Sequence, residues 1–173
     1  PDKITVEVKE SLSALQDAVP TPIAFADLDF NLGERWIPAK VYSKFAGDFF
    51  DSDIHVHFAS STDEYSVKAD RRNALIYDKY AVKGYYRTYD GLNLLKHALH
   101  NTVPDISKPV ESIDKKTGES RQIKVRDGDA IQMANSKIEE IREGFIDWLW
   151  KQPTEFKENL AERYNRLFNC FVK

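Results

Sequence analysis

Four histidines, His55, His57, His97 and His100, have the spacing that most directly suggests chemistry. His55 and His57 are two apart, which puts both imidazoles on one face of a strand, and His97 and His100 are about one helical turn apart. Each pair could supply two metal ligands, so a metal-dependent enzyme is one reading. Four imidazoles with no carboxylate or thiolate match no strong ligand signature, however. The competing reading makes His55 and His57 the solvent side of an alternating strand, and His97 and His100 the polar side of a helix. We therefore expect no metal site.

A second constellation lies in the middle of the chain. Six of the eight tyrosines, Tyr65, Tyr77, Tyr80, Tyr85, Tyr86 and Tyr89, fall between residues 65 and 90, interleaved with Lys68, Arg71, Arg72, Lys79, Lys83 and Arg87. Aromatic faces stack on unpaired bases while cations neutralise phosphates, so the mixture suits a single-stranded or distorted-duplex contact. Lys68, Arg71, Arg72, Tyr85, Tyr86 and Arg87 are the candidate nucleic-acid-binding residues. The alternative is a sheet with tyrosines on one face and lysines snorkelling on the other.

The overall net charge of -3 argues no general affinity for nucleic acid, but its distribution is uneven. Residues 1–64 carry 5 basic and 12 acidic groups, whereas residues 65–90 and 108–126 each carry 6 basic and 3 acidic ones. The second basic segment holds Lys108, Lys115, Lys116, Arg121, Lys124 and Arg126. A patch of +3 neutralises few phosphates, so the expected binding to forked or single-stranded DNA is weak and salt-sensitive.

Several reaction classes are excluded by what is missing. There is no G-x-x-x-x-G-K-[ST], no G-x-G-x-x-G and no G-x-S-x-G. Asp63-Glu64 follows Ser60-Ser61-Thr62 rather than the apolar strand that an ATPase acidic pair requires, and the Pro-Pro-aromatic motif of amino-group DNA methyltransferases is absent. Cys170 is the only cysteine, which excludes an internal disulfide and fits a reducing cytoplasm. No apolar run reaches the roughly 20 residues of a membrane span, and no signal segment opens the chain. Pro1 in place of an initiator Met suggests a fragment of a longer polypeptide.

The elements that must position these residues follow from periodicity. A helix over Ser11–Ala18 would be stopped by Pro20 and Pro22. Asn31 and Gly33 provide a turn, Trp36 and Ile37 a hydrophobic staple, and Pro38 a first helical position, after which Val41, Tyr42, Phe45 and Phe49 recur at helical spacing. Ile54–Phe58 alternates as a strand; residues 65–68, 75–82 and 85–89 read as further strands. Asp90 caps a helix to about Leu99, ended by Asn101 and Pro104. Residues 107–125 are polar around Lys116-Thr117-Gly118 and predict a mobile excursion or hairpin. Ile131, Ala134, Ile138, Ile141, Phe145 and Trp148, then Phe156, Leu160, Tyr164, Leu167 and Phe171, form two apolar stripes separated by Pro153. The expectation is a single α+β domain over residues 1–173, with a small antiparallel sheet, several helices and a long C-terminal αα-hairpin over 127–173.

Three stretches, GERWIPAKVYSKF, YYRTYDGLNLLKHALHNTVPDI and KIEEIREGFIDWLWKQPTEFKENLAERYNRLFN, together resemble one known arrangement. It is the segment between an adenine-specific DNA methyltransferase domain and a Swi/Snf-like helicase domain in large fused methylase-helicase proteins of phages, conjugative elements and bacteria. Gly33, Trp36, Ile37, Pro38, Tyr86, Arg87, Ala98, Leu99, Lys137, Ile141, Phe145, Trp148, Trp150, Tyr164, Asn165, Phe168 and Asn169 stand at the matching places. His100 interrupts the pattern's A-L-N, and residues 51–85 have no counterpart. The resemblance implies a non-catalytic module with no cofactor of its own, in a parent protein using S-adenosylmethionine and ATP. Its implied partners are the flanking methyltransferase and helicase domains, with DNA as a further contact. The runner-up is an independent DNA-binding or target-recognition domain.

Overall fold

The computed structural model describes residues 20–169, so the Ser11–Ala18 helix, Cys170 and Phe171 lie outside the described residues. These residues form an α+β protein with helices α1 (Ala39–Phe50), α2 (Gly91–His100), α3 (Gly128–Trp150) and α4 (Thr154–Phe168). The strands are β1 (Ile54–Ala59), β2 (Glu64–Ala69), β3 (Val82–Lys83), β4 (Thr88–Tyr89), β5 (Ser107–Ile113) and β6 (Ser120–Arg126). They pair as three separate antiparallel hairpins, β1-β2, β3-β4 and β5-β6, rather than as one sheet. Residues 31–149 make one compact unit; among the described residues, 20–30 and 150–169 belong to a second.

The larger unit is organised by α1. Pro38 immediately precedes the helix in extended conformation, one residue before the expected position. Its fixed φ and absent N–H make it compatible with that entrance. Val41, Tyr42, Phe45, Ala46 and Phe50 form the buried face. Tyr42 is fully buried, and its hydroxyl accepts from Gly33 N at 3.1 Å and donates to Glu34 O at 2.7 Å. Burial, followed by the nearby Tyr65, raises its pKa, so Tyr42 stays neutral and can donate. Its ring meets Tyr65 of β2 edge-on at 5.8 Å and Phe145 of α3 at 5.5 Å.

Gly33 allows this arrangement because it has φ +94°, and a Cβ there would lie 2.0 Å from the Leu99 carbonyl oxygen at the end of α2. The loop thereby brings α1 and α2 together. Asp90 caps α2 as expected, accepting from Asn93 N at 2.9 Å, and Asn101 ends it at φ 55°.

The strand expected over residues 75–82 is instead a π-helical turn, Leu75–Lys79. Asn73 imposes it: its Oδ1 accepts from Ile76 N at 3.2 Å, and its Nδ2 donates to the Phe50 and Asp51 carbonyls at 2.7 and 3.0 Å. These local hydrogen bonds compete with strand pairing and turn Ile76 inward, where it is fully buried. Only short strands remain on either side of Tyr85-Tyr86.

Along α3 the buried stripe is Ala134, Ile138, Ile141, Phe145 and Leu149; Leu149 is buried where Trp148 was expected to be, and Trp148 is half-exposed. The Trp148 ring still stacks on Phe145 at 6.2 Å, and its Nε1 donates to Asp48 Oδ2 at 2.8 Å.

In the second unit, α4 buries Leu160 and Ala161, while Leu167 and Phe168 are exposed. Asn165 acts there as a substitute backbone: Oδ1 accepts from Ile23 N at 2.8 Å and Nδ2 donates to Ile23 O at 2.9 Å. One turn later, Asn169 Nδ2 donates to Thr21 O at 2.9 Å. Tyr164 packs at a tilt against Phe168 at 5.1 Å, and Trp150 meets Phe25 edge-on at 5.2 Å.

Three substitutions test these contacts. Gly33→Ala is expected to destabilise by about 3–5 kcal/mol in urea unfolding, through positive-φ strain plus a backbone collision. Gly118→Ala, at φ +70° but with nothing near its Cβ position, should cost only about 1 kcal/mol. Asn165→Ala is expected to raise the amide exchange rate of Ile23 at least several-fold, measured by NMR, because that N–H loses its acceptor.

Candidate nucleic-acid interface

The structure divides the six tyrosines of residues 65–90 into two sets. Tyr65, Tyr80 and Tyr89 are buried; Tyr77, Tyr85 and Tyr86 are exposed. Tyr85 and Tyr86, 69% and 52% exposed, form the tip between β3 and β4 and meet edge-on at 5.0 Å. The tip is closed by Gly84 N donating to Arg87 O at 2.9 Å. Neither ring is committed to the core, so both present aromatic surface to solvent.

Lys124 of β6 places its Nζ 4.8 Å from the Tyr86 ring centroid. The two basic segments, separated in sequence, thus meet on one surface. The β5-β6 ribbon pairs Ser107 with Arg126 through Ile113 with Ser120, so Lys124 shares its face with Pro109 and Arg126, while Lys108 and Arg121 lie on the other. Lys115 and Lys116 occupy the connecting turn, which Gly118 closes by donating from its N to Asp114 O at 2.8 Å. The excursion or hairpin expected over residues 107–125 is a regular hairpin, with exposed Val110, Ile113 and Ile123 among its cations.

The remaining candidates occupy different settings. Arg87 lies over the Tyr89 ring at 4.5 Å, adjacent in sequence to the exposed pair. Arg72 donates to Asp90 Oδ2 at 3.2 Å and lies 5.9 Å from the Tyr77 ring. Lys68 is exposed on β2, on the same face as its partner His55. Arg71 lines a cleft of about 940 Å³ with Asp48, Asp51, Asp53 and Asp70. Those carboxylates oppose an anionic ligand, so Arg71 is poorly placed for phosphate. Lys124 was visible in sequence only as part of a basic run; its partnership with Tyr86 depends on how two hairpins meet. Lys96, on α2, carried no sequence signal at all.

The histidines do not gather into a site. Among the described residues, no three His, Cys, Asp or Glu side chains are grouped so as to hold a metal ion. His55 Nε2 lies 3.4 Å from Asp70 Oδ2, and His100 Nε2 accepts from Tyr65 N at 3.2 Å. His97 Nδ1 lies 2.8 Å from Thr102 Oγ1. The motif residues Gly33, Trp36, Pro38, Trp148, Trp150, Tyr164 and Asn165 serve as loop, helix-entrance and packing contacts. Trp36, for example, donates from Nε1 to Glu34 Oε2 at 2.9 Å.

Burial lowers the His97 pKa below 6.5, and the charges of His100, Lys96 and Arg87 lower it further. The unfolded chain therefore binds this proton more readily, so the His97 contribution to stability is fully present above the ordinary histidine range and is lost as the pH falls through it. The urea midpoint should decline on acidification through this range, and His97→Gln should flatten that decline. An identical pH dependence in the variant would refute the assignment.

No helix among the described residues is long and apolar enough to cross a membrane. No curated protein and no solved structure matches the chain. A family model described as "Domain of unknown function (DUF8437)" matches residues 31–170, most of the sequence. The chain belongs to that family.

Proposed function

We propose that this chain is a non-catalytic module that contacts unpaired or distorted DNA and couples the methyltransferase and helicase domains of a methylase-helicase polypeptide. The observation carrying the DNA contact is the junction of Lys124 with Tyr86, which joins two exposed rings to a basic ribbon. Stacking contributes about 1–3 kcal/mol per base and needs a base out of its duplex, which favours single-stranded and forked substrates. The β5-β6 cations supply the phosphate term, and β-ribbons of this kind can also follow a groove. The coupling role rests on the sequence resemblance, with S-adenosylmethionine and ATP belonging to the flanking domains and the cytoplasm as the location. The non-catalytic reading is supported by the structural contacts of the groups with shifted pKa. Tyr42 holds the Gly33 loop, and Arg35 lies over the Phe58 and Tyr65 rings.

The DNA contact is tested by fluorescence anisotropy with single-stranded, forked and duplex oligonucleotides. The expected order is single-stranded and forked above duplex, with affinity falling as salt rises from about 50 to 200 mM. Tyr85→Ala combined with Tyr86→Ala should weaken single-strand binding about 10- to 100-fold, consistent with the loss of one stacked base or more. No binding at low salt and high protein concentration would overturn the reading.

A further inference from the structure

We propose that a small cleft beside the start of α2 is a phosphate seat, holding one backbone phosphate of the strand whose bases stack on Tyr85 and Tyr86. This inference rests on the DNA-binding reading above and adds a defined anion site to it. The cleft measures about 270 Å³, and its charged lining consists of Arg72, Arg87, Lys96 and Asp90. Thr88 and Asn93 also line it.

Asp90 would ordinarily oppose an anion, but both of its oxygens are engaged. Oδ1 caps α2 by accepting from Asn93 N at 2.9 Å, and Oδ2 accepts from Arg72 at 3.2 Å. The cap also means that the helix end itself is already filled, so the attraction has to come from side-chain cations. Arg87 and Lys96 supply it. No carboxylate pairs with either among the described residues. Arg72 is shared with Asp90, which leaves the cleft with a surplus of positive charge.

Geometry adds selectivity to this charge. The Arg87 guanidinium is stacked over the buried Tyr89 ring at 4.5 Å, which limits the rotamer freedom that would be lost on binding. A fork-shaped guanidinium and a compact ammonium across one cleft suit the several oxygens of a tetrahedral phosphate. Arg87 directly follows Tyr86, so a stacked base and the phosphate joined to it could be held by neighbouring residues. The combined field of Lys96 and Arg87 also reaches His97, whose proton affinity both reduce.

The test compares the unaltered chain with an Arg87→Gln, Lys96→Gln protein and a Tyr85→Ala, Tyr86→Ala protein, binding labelled oligothymidylate over a range of salt concentrations. Losing one phosphate contact should reduce the slope of log affinity against log salt by about 0.7. Affinity should drop roughly tenfold at low salt. The tyrosine pair should lose affinity with its slope unchanged. Lys96 is exposed on α2, so Lys96→Gln alone should keep the fold and still weaken binding about threefold. An unchanged slope in the glutamine pair, while the unaltered chain still binds, overturns the phosphate seat and spares the functional reading. No binding by the unaltered chain overturns both. In a parallel NMR arm, inorganic phosphate is added alone. Shifts of the Thr88 and Asn93 amides without any effect of the glutamine pair on strand binding would assign the cleft to a free anion and overturn the strand-phosphate assignment.

Discussion

A buried hydroxyl has to find partners, and in this chain that requirement falls on Tyr42. Leaving such a group unpaired costs about 1–3 kcal/mol, and no water-exposed route is open to a fully buried side chain. The solution is to bring the loop at Gly33 and Glu34 back over α1, so that one hydroxyl accepts from one backbone group and donates to the other. That path needs φ +94° and no Cβ facing Leu99, so only glycine fits. The same ring contacts Tyr65 and Phe145, which ties the first hairpin and α3 to α1. Phe45 extends the cluster to Phe145 and Trp148 at 5.2 and 5.8 Å.

This aromatic core decides what is left for the surface. Two-stranded hairpins are marginal by themselves, and the first two depend on side chains given up to the interior, whereas no residue of β5 or β6 is buried. Tyr65 anchors β2, while Tyr89 anchors β4 and Tyr80 packs on Phe49 and Phe50 at 4.8 and 5.6 Å. Tyr85 and Tyr86 have no such duty and project from a tip that Gly84 and Arg87 close. A ligand-facing surface can therefore sit on a short, rigidly based turn. The β5-β6 ribbon begins next to it: the Gly84 Cβ position lies 3.2 Å from Ile106, one residue before β5, and the Ile106 carbonyl accepts from Asp127 N at 2.8 Å.

The motif residues that recur in the resemblance receive a physical meaning that differs from chemistry. Asn165 and Asn169, one helical turn apart, hold the backbone of Ile23 and Thr21 through their amides. Trp150 packs edge-on to Phe25, with Lys157 Nζ 5.7 Å from both rings. Such residues supply geometry that few other side chains provide: an amide matches a peptide group in both donor and acceptor, and indole offers a large face with one polar edge.

Periodicity and local caps were enough to read α1, α2, α3 and α4, β1 and β2, and the α+β class from the residues alone. A helix stripe, an alternating strand and an Asp cap are each decided within a few residues of chain. The 75–82 segment departs from the strand its β-favouring residues predict, because they yield to Asn73, whose hydrogen bonds reach back to Phe50 and Asp51. The interface was half legible: composition marked two basic segments and a tyrosine-rich stretch, but not which rings were core and which were free. Burial depends on contacts between residues far apart in sequence, and so does the meeting of Tyr86 with Lys124 or of Arg87 with Lys96. The sequence by itself determined the elements and the chemical types available, because those are local. Only the tertiary structure decided which side chains share a surface, because that follows from the packing around Tyr42 and Gly33.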